Sequence, residues 1–512
     1  MRRLLILTTI LAFSLSALAD GENAGRRIRR DHSCLDGYAS DVTRSGVRRV
    51  NIIPANGWEA GRTYRIPVLL MEFSDRSFSM EKPKETYDSL FNMPGYNLGH
   101  GPGCVADYFR EQSGGLFSPQ YEIIGPVKVS TSYKLNTDYN SGSSQISKAL
   151  ALAGSELDNK EYDWDNDGYI ESVIVVYAGY GGNESSKMAD GCIWPSTSSV
   201  ASVKVGDLRA STFSASAEQW TTGSLCGIGT ICHEYSHCLA LPDFYPVTNS
   251  IDADYSVLDE WDLMDGGNFC DGGWCPPNYS AHEKEFVGWA TPVDLTESTH
   301  VTGMKSVSDG GTCYRIRADL NSSANEYLLL ENRQWQGWDY FLPGHGLLVT
   351  HVDFSKSVWS SFAVNSDKKH YRLHYVNADS HSFPFDELLY PKTQMYDSLG
   401  RNKRLSGTAY PYVSDTLVNR ELTDTSTPAS TLFNVNTSGE KLLSKPIVNI
   451  EENDGLISFS FYDDNTVLGI GNWPRNPARE ADVTLYDLMG RRVESPRQGG
   501  IYIRQGKKII IQ

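Results

Sequence analysis

The sequence predicts a protein of mixed α and β structure, α/β or α+β in class, built from three successive regions. Apolar strand-like runs alternate with helix-like segments over residues 63–292, an order typical of helices packed on a sheet. Residues 293–463 contain short strand-like runs separated by Gly, Asn, Ser and Asp, which predicts a mainly β accessory region. Residues 464–512 resemble two β-hairpins and predict a small C-terminal β domain.

Several elements of these regions can be assigned from their apolar patterns. Residues 64–73 and 172–177 are nearly continuous apolar runs, which predict two buried strands. A helix is predicted to begin at Cys104 and to end at the Gly-Gly pair that follows, a typical helix stop. A second helix is predicted over residues 144–157, where apolar residues recur three and four positions apart. The clearest strands of the accessory region are predicted at 326–330, 346–352 and 457–461.

Length and composition limit the classes of protein to be considered. Of the 512 residues, 40% are hydrophobic and 21% are charged, so the chain can bury a sizeable core. This composition excludes a disordered chain and a small disulfide-stapled protein. The net charge of -17 would repel phosphate backbones, so no nucleic-acid partner is expected.

The first residues predict export. Arg2 and Arg3 precede an apolar run at 4–18 that ends in an Ala-Leu-Ala cleavage motif, which indicates a signal peptide at 1–19. The alternative is a membrane anchor, but the run is too short to span a bilayer comfortably. Residues 20–62 are polar and rich in arginine, so they are predicted to be a leader or pro-segment. We therefore expect a secreted protein, extracellular or at the cell surface, without stable membrane insertion.

Nine cysteines in an exported chain permit disulfide bonds, and the odd number leaves at least one thiol unpaired. Cys270 and Cys275 bracket a glycine-rich loop and could form a small local bridge. Cys232 and Cys238 lack metal-binding spacing and are interpreted as packing or disulfide residues. Cys34 lies in the leader, where a thiolate capping a catalytic metal is an alternative to a plain leader cysteine.

The segment HEYSH at residues 233–237 is the sharpest feature of the sequence. On a helix, residues four apart share a face, so His233 and His237 can reach one metal ion. Glu234 would then lie beside the ion, where a carboxylate can accept a proton from water. The alternative is a pair of helix histidines that are satisfied by ordinary hydrogen bonds.

The residues that follow complete a metal-site pattern. Pro242 stops the helix, so the chain can turn and bring Asp243 back to the ion as a third ligand. This spacing is that of the metzincins, except that Ala240 stands where a glycine usually allows a left-handed bend, so the turn is expected to be strained. Met264, in the segment WDLMDGG, is predicted to be the Met-turn residue that forms an apolar floor under the metal.

A second candidate metal site is the loop DxDxDG. Asp163, Asp165, Asp167 and Glu171 are carboxylates spaced to wrap oxygen ligands around Ca²⁺. The loop is not an EF-hand, because Ile174 stands at the twelfth position and a strand follows. The alternative is a solvated acidic turn.

Together these segments resemble the immune inhibitor A family of secreted bacterial zinc metalloendopeptidases. The resemblance is carried, in order, by residues 68–75, 104–117, 163–179, 233–245, 261–267, 280–289 and 326–353. It implies a metzincin-like catalytic domain in which His233, His237 and Asp243 bind one catalytic Zn²⁺. It also implies that Glu234 is the catalytic base and that Met264 is the Met-turn residue.

The polar block at 331–333, with Asp339, His351 and Asp353, belongs to the accessory region. We interpret it as part of a hydrogen-bonded β region that packs against the protease. A substrate subsite or an additional ion site is the alternative interpretation.

The C-terminal residues resemble the sorting domains of type IX secretion cargo. The features are the segments at 483–493 and 499–512, with a basic Gly-Lys-Lys turn and an apolar tail. The resemblance implies the outer-membrane secretion machinery as a partner. An ordinary terminal β-hairpin is the alternative.

The function predicted from the sequence is that of a secreted zinc-dependent metalloendopeptidase acting on proteins or peptides, with Glu234 as general base and acid. No G-x-S-x-G motif supports a serine hydrolase instead. One alternative is a surface binding or adhesion protein with an inactive protease-like domain, although the intact His233, Glu234 and His237 argue against it. Another is a zinc hydrolase that acts on something other than peptides.

Overall fold

The computed structural model describes residues 51–463, except residues 99, 138, 185, 248–256 and 382–394, and the backbone of four short strands after residue 484. The predicted signal peptide at 1–19 and most of the predicted leader, with Cys34, lie outside the described residues. Several sheets and few helices make up the described structure, as expected for a mixed α and β protein. Among the described residues, no helix combines the length and apolar character that crossing a bilayer requires.

The first region contains a five-stranded sheet. Its strands are β1 (Thr63–Glu72), β2 (Ser118–Lys128), β3 (Val173–Tyr180), β4 (Ser196–Val205) and β5 (Leu208–Gln219). In the order β2-β1-β3-β5-β4, the first four strands are parallel and β4 is an antiparallel edge strand. Strands β1 and β3 confirm the two buried strands predicted from the apolar runs, and both lie in the interior of the sheet.

Helices lie on both faces of this sheet. The described α-helices are α1 (Pro83–Asn92), α2 (Val105–Gln112), α3 (Ser143–Ala153), α4 (Gly229–Cys238), α5 (Ala281–Phe286) and α6 (Lys356–Ser360). The helix predicted after Cys104 is confirmed as α2. The helix predicted at 144–157 is shorter, because Gly154 leaves the helical conformation with φ 47° and a 3-10 turn continues to Leu157.

Side chains along the central strands point alternately to the two faces of the sheet, and this divides the core into two layers. Ile174 and Val176 of β3 pack in the same apolar cluster as Ile231 of α4. The intervening Val175 points to the opposite face and packs with Ile146 of α3. The helix that carries the HExxH motif is therefore held against one face of the sheet by side chains that alternate along β3.

The accessory region is mainly β, as predicted. One sheet has the order β11-β10-β9-β8-β6, a second has β14-β15-β7, and β12 pairs with β13. The strands are β6 (Val293–Asp294), β7 (Thr299–Met304), β8 (Tyr314–Arg317), β9 (Asn325–Arg333), β10 (Gly346–Phe354), β11 (Leu373–Tyr375), β12 (Tyr412–Val413), β13 (Val418–Asn419), β14 (Ile447–Asn453) and β15 (Leu456–Phe461). Leu329 of β9 and Leu348 of β10 pack in the cluster that includes α4, so the accessory sheet shares a core with the catalytic region.

A buried polar network joins the same two regions. The Arg333 guanidinium, fully buried on β9, donates hydrogen bonds to Asp339 Oδ1 at 2.6 Å and to Glu331 Oε1 at 3.2 Å. Glu331 Oε2 in turn accepts from the backbone N–H of Ala281, the first residue of α5. Asp339 Oδ1 accepts from the backbone N–H of Asn278. These contacts confirm that the 331–333 block belongs to a hydrogen-bonded β region packed against the first region.

The other polar residues of that prediction form contacts within the accessory region. His351 Nε2 lies 2.7 Å from Glu326 Oε1. The Asp353 carboxylate accepts a hydrogen bond from Arg372 at 2.8 Å. The first pair joins β9 to β10, and the second joins β10 to Arg372, the residue before β11.

The C-terminal hairpin prediction falls largely outside the described residues. The described backbone contains β16 (Leu485–Tyr486), β17 (Arg492–Val493), β18 (Ile501–Arg504) and β19 (Lys507–Ile510). β16 pairs with β17 and β18 pairs with β19, both antiparallel, which agrees with two hairpins. The sorting role inferred from the sequence stays a prediction.

Candidate metal centre

The helix α4 positions the HExxH motif inside the protein. Its apolar side packs through Ile231, Cys232 and Tyr235 in the core, and the Tyr235 ring lies edge-on to Phe109. At its first residue, Gly229, a Cβ atom would lie 2.0 Å from the carbonyl oxygen of Asn268, so only glycine fits this approach. This close contact fixes the position of α4 against the backbone at Asn268.

Backbone carbonyls orient both imidazole rings of the motif. His233 Nδ1 lies 2.7 Å from the carbonyl oxygen of Leu263, and His237 Nδ1 lies 2.7 Å from that of Leu241. A carbonyl only accepts hydrogen bonds, so each Nδ1 carries the proton. In the neutral imidazole each Nε2 then presents a lone pair, which is the form of histidine that binds metals.

Asp243 completes a group of three ligand-type side chains. Its Oδ1 lies 3.3 Å from the Nε2 atoms of both His233 and His237. One ligand atom from each residue lies within 4.8 Å of the other two, and all three residues are buried. Neither Nε2 atom hydrogen-bonds to any residue that the structure describes. Buried polar atoms of this kind are costly unless paired, so the donor set fits a cation held between them.

The electrostatics of the group agree with that fit. Burial by itself lowers the pKa of the His233 imidazole, but the carboxylates of Asp243 and Glu234 outweigh it and raise that pKa to about 9. Burial by itself raises the pKa of the Asp243 carboxyl, but the two imidazoles outweigh it and lower that pKa below its usual range. Both shifts favour positive charge at the point that the three side chains face.

The turn after α4 has the conformation predicted from the metzincin spacing. Ala240 adopts φ 64°, in the left-handed region where glycine is favoured. Its backbone N–H donates to the carbonyl oxygen of His237 at 2.9 Å, and the N–H of Leu241 donates to that of Ser236. The bend returns Asp243 to the histidines, so the alanine does not displace the third candidate ligand.

Replacing Ala240 with Gly is expected to stabilise the protein by about 0.5–1 kcal/mol. Removing the Cβ relieves about 1–2 kcal/mol of left-handed strain, while the more flexible unfolded chain offsets about half of the gain. Urea denaturation of both proteins with metal bound measures the difference. The matched control is Ala153→Gly at the end of α3, a helical position, which is expected to destabilise. A lower stability of the Ala240→Gly variant would show that Ala240 is not strained in the native protein.

Glu234 has a neighbour that the sequence did not reveal. The hydroxyl of Thr197, on the edge strand β4, donates to the backbone carbonyl of Glu234 at 2.5 Å and lies 3.3 Å from its Oε2. Thr197 is 37 residues from Glu234 and sits among similar serines and threonines, so no sequence pattern distinguishes it. This hydrogen bond connects the edge strand β4 to the helix α4 at Glu234, the candidate general base.

The segment around Met264 packs beside the ligands. The backbone carbonyl of Met264 accepts from the N–H of Phe244, the residue after Asp243, at 2.9 Å. Its N–H donates to Asp262 Oδ1 at 2.8 Å, and Met264 is fully buried. The adjacent Leu263 carbonyl accepts from His233 Nδ1, so this turn supports two of the three candidate ligands. Asp262, which closes the turn, was not singled out from the sequence.

These features lie in a stretch with known relatives. Residues 60–290 match the family model described as "Immune inhibitor A peptidase M6, catalytic domain". The chain is also 26% identical over 302 residues to "Immune inhibitor A" of Bacillus thuringiensis subsp. alesti, a match that covers 46% of this chain and 42% of that protein. The chain thus spans less than half the length of this curated relative. The match supports a metallopeptidase domain that contains all the candidate zinc residues.

The candidate calcium loop also lies in the matched peptidase domain. One oxygen each of Asp163, Asp165 and Glu171 lies within 4.8 Å of the other two. Asp167 lies outside that group, and its Oδ1 accepts from the N–H of Tyr169 at 2.9 Å. The structure therefore brings together three of the four predicted carboxylates.

The eight described cysteines of the chain are all free thiols. The local bridge considered between Cys270 and Cys275 is not formed, since the two thiols contact different carbonyls. Cys270 Sγ donates to Glu260 O and Cys275 Sγ to Trp338 O. Cys232 and Cys238 are buried in the core that surrounds α4, which agrees with a packing role.

Proposed function

We propose that the protein is a secreted zinc-dependent metalloendopeptidase that hydrolyses proteins or peptides. The observation that carries the proposal is the convergence of His233, His237 and Asp243, with Glu234 on the same helix, in a stretch that matches a peptidase catalytic domain. Two imidazoles and a carboxylate are ligands that Zn²⁺ prefers. Three protein ligands also leave one tetrahedral position open, as catalytic zinc sites require.

Each residue of the site has a separate role in the proposed reaction. When bound, Zn²⁺ would lower the pKa of water and polarise the scissile carbonyl. Glu234 accepts the proton of the attacking water at a carboxylate oxygen and delivers it to the departing amine. The carbonyls of Leu241 and Leu263 keep both histidines in the tautomer that binds metal. Thr197 fixes the Glu234 backbone and places a hydroxyl beside Oε2.

The position of β4 supports a peptide substrate over other substrate classes. β4 is an edge strand, and its Thr197 touches the residue proposed as the base. An extended peptide can align with a sheet edge through backbone hydrogen bonds, whereas an ester or a glycan has no such repeating pattern. We therefore infer that the substrate backbone binds alongside β4.

Removing the metal is expected to abolish hydrolysis of casein by the purified protein, and adding one equivalent of Zn²⁺ is expected to restore it. The proposed reaction needs the cation to activate the attacking water, and the three side chains that would hold it converge at one point. Metal content and casein cleavage are measured together, with ester and glycan substrates in parallel. A folded protein that binds no metal would support the binding-protein alternative. A zinc-loaded protein that cleaves only an ester or glycan would support the non-peptide hydrolase.

Secretion is proposed from the sequence alone. Residues 1–19 have the pattern of a signal peptide, and residues 464–512 resemble a type IX sorting domain, so we infer export to the medium or the cell surface. Deleting residues 464–512 in a host with that machinery is expected to leave the protein in the periplasm. Unchanged release of the truncated protein would refute the sorting role.

We also propose that Asp163, Asp165 and Glu171 bind Ca²⁺. Ca²⁺ at about 100 times its dissociation constant would add about 2.7 kcal/mol of stability, or roughly 3 °C in Tm. The shift is measured by calorimetry on zinc-loaded protein and is expected to vanish in Asp165→Asn. The control is Asp207→Asn, an exposed carboxylate outside the loop. No calcium-dependent shift in the wild-type protein would identify the loop as a solvated acidic turn.

A further inference from the structure

Arg401 carries a buried positive charge that no described residue balances. It lies in the loop between β11 and β12 and is only 7% exposed. The Nε atom is enclosed, and among the described residues the guanidinium has neither an ion pair nor a hydrogen-bond acceptor. The other two arginines that are buried in the described part of the chain, Arg315 and Arg333, each pair with two carboxylates. An arginine cannot lose its proton in a protein, so a buried one without a partner is costly and suits a bound anion.

Two aromatic rings frame this cation at the surface. The guanidinium carbon of Arg401 lies 3.9 Å from the ring centre of Trp335 and 5.3 Å from that of Tyr340. An aromatic face attracts a cation but does not replace a hydrogen-bond acceptor, so the N–H donors remain available to an anion. Trp335 and Tyr340 are 39% and 43% exposed, so the frame is open to solvent. The Trp335 ring is held in place, since its indole N–H donates to the carbonyl oxygen of Leu342 at 2.9 Å.

The loop that carries Arg401 is attached to the peptidase region on both sides. Before Arg401, the hydroxyl of Tyr396 donates to Glu260 Oε1 at 3.0 Å. After it, the carbonyl oxygen of Leu405 accepts from the indole N–H of Trp261 at 3.1 Å. Glu260 and Trp261 immediately precede the turn that packs beside the candidate metal ligands. The unpaired cation is therefore fixed to the same segment that supports the metal centre.

The chemistry of the site favours a carboxylate over other anions. One guanidinium supplies one positive charge and a planar set of donors, which matches a single planar carboxylate. The second charge of a phosphate dianion would stay unbalanced here. A polyanion such as a nucleic acid is opposed by the net charge of -17. The rings of Trp335 and Tyr340 can also contact the apolar stem of an acidic side chain.

We propose that Arg401, framed by Trp335 and Tyr340, binds the carboxylate of an acidic residue in a protein substrate, at a subsite outside the metal centre. The proposal rests on the proposed function, because the bound peptide is taken to be the substrate of the peptidase. The subsite holds the peptide and takes no part in hydrolysis.

The test is calorimetric binding of a hexaglutamate peptide with blocked ends to zinc-loaded Glu234→Gln protein, which is not expected to cleave it. We expect this peptide to bind at least about tenfold more tightly than the matched hexaglutamine peptide. Arg401→Gln is expected to remove that preference. The control is Arg317→Gln, since Arg317 also lies over an aromatic ring but already pairs with Asp294, and it is expected to keep the preference. Equal binding of the two peptides, or an unchanged preference in Arg401→Gln, would overturn the proposal.

A second variant and two competitors complete the test. Arg401→Lys keeps a charge beside the rings but loses the planar donor set, so it is expected to fold and to bind hexaglutamate several-fold more weakly. Thermal unfolding checks that each variant is folded. Acetate is expected to displace hexaglutamate at a lower concentration than inorganic phosphate does, and the reverse order would overturn the assignment to a carboxylate.

The binding readout does not depend on catalysis. An Arg401-dependent preference in a protein that cleaves no casein would refute the proposed function and leave the carboxylate subsite in place. Casein cleavage by a wild-type protein that shows no preference for hexaglutamate would refute the subsite alone.

Discussion

Replacing Glu234 with Gln is expected to reduce casein hydrolysis by about 10²–10⁴-fold while metal binding is retained. Glutamine preserves the size of the side chain but cannot accept a proton from water. The ligand atoms belong to His233, His237 and Asp243, so the metal content should not change. Activity is measured with zinc-loaded protein, and bound metal is measured by atomic emission.

Glu161→Gln is the matched control, because Glu161 is a glutamate with a largely exposed side chain that forms an ion pair with Arg65 away from the ligand group. It is expected to keep full activity. If Glu234→Gln retains most of the wild-type rate with zinc bound, Glu234 is not the base. If it loses zinc as well as activity, its main role is structural.

Replacing Arg333 with Ala is expected to destabilise the protein by about 3–5 kcal/mol. The change leaves the carboxylates of Glu331 and Asp339 buried without their cation, and that uncompensated charge is the main penalty. It also removes the hydrogen bond from Arg333 to the carbonyl oxygen of Asn278, which joins the accessory sheet to the catalytic region. The free energy of unfolding is measured by urea denaturation with metal bound.

The control is Arg317→Ala, since the Arg317 side chain is 47% exposed and pairs with Asp294 near solvent. Its cost is expected to be below about 1 kcal/mol. The double variant Arg333→Met with Asp339→Leu is expected to be less destabilised than Arg333→Ala, because no charge of that pair stays unpartnered. A loss below about 1 kcal/mol for Arg333→Ala would show that the network does not hold the two regions together.

Local patterns in the sequence were sufficient to predict the main elements and to select the candidate metal ligands. The apolar runs that form β1 and β3 are buried on both faces, so their composition alone indicates interior strands. The four-residue spacing of His233 and His237 places both rings on one side of a helix whatever the helix packs against. Pro242 predicts a turn soon after that helix, and in the structure the helix ends at Cys238 and the chain brings Asp243 back to the same point.

Only the tertiary structure determined how those residues are supported. Thr197 and Leu263 reach the motif from 37 and 30 residues away, and Leu263 acts through a backbone carbonyl that every residue type carries. Likewise, the sequence of the candidate calcium loop did not separate Asp167 from the three carboxylates that converge. The Asp167 side chain instead accepts a hydrogen bond from the backbone two residues later.

The same limit explains the polar block at 331–333 and residues 51–62. Glu331 and Arg333 carry charges that usually lie at the surface, and only the packing of β9 against α5 makes their pairing internal. Residues 51–62 resemble the polar leader in composition, but Trp58 finds its partners at Phe117 and Trp289. The sequence by itself determined which residues can bind a metal, because that depends on local spacing. The fold decided which residues hold them in place, because those contacts join distant parts of the chain.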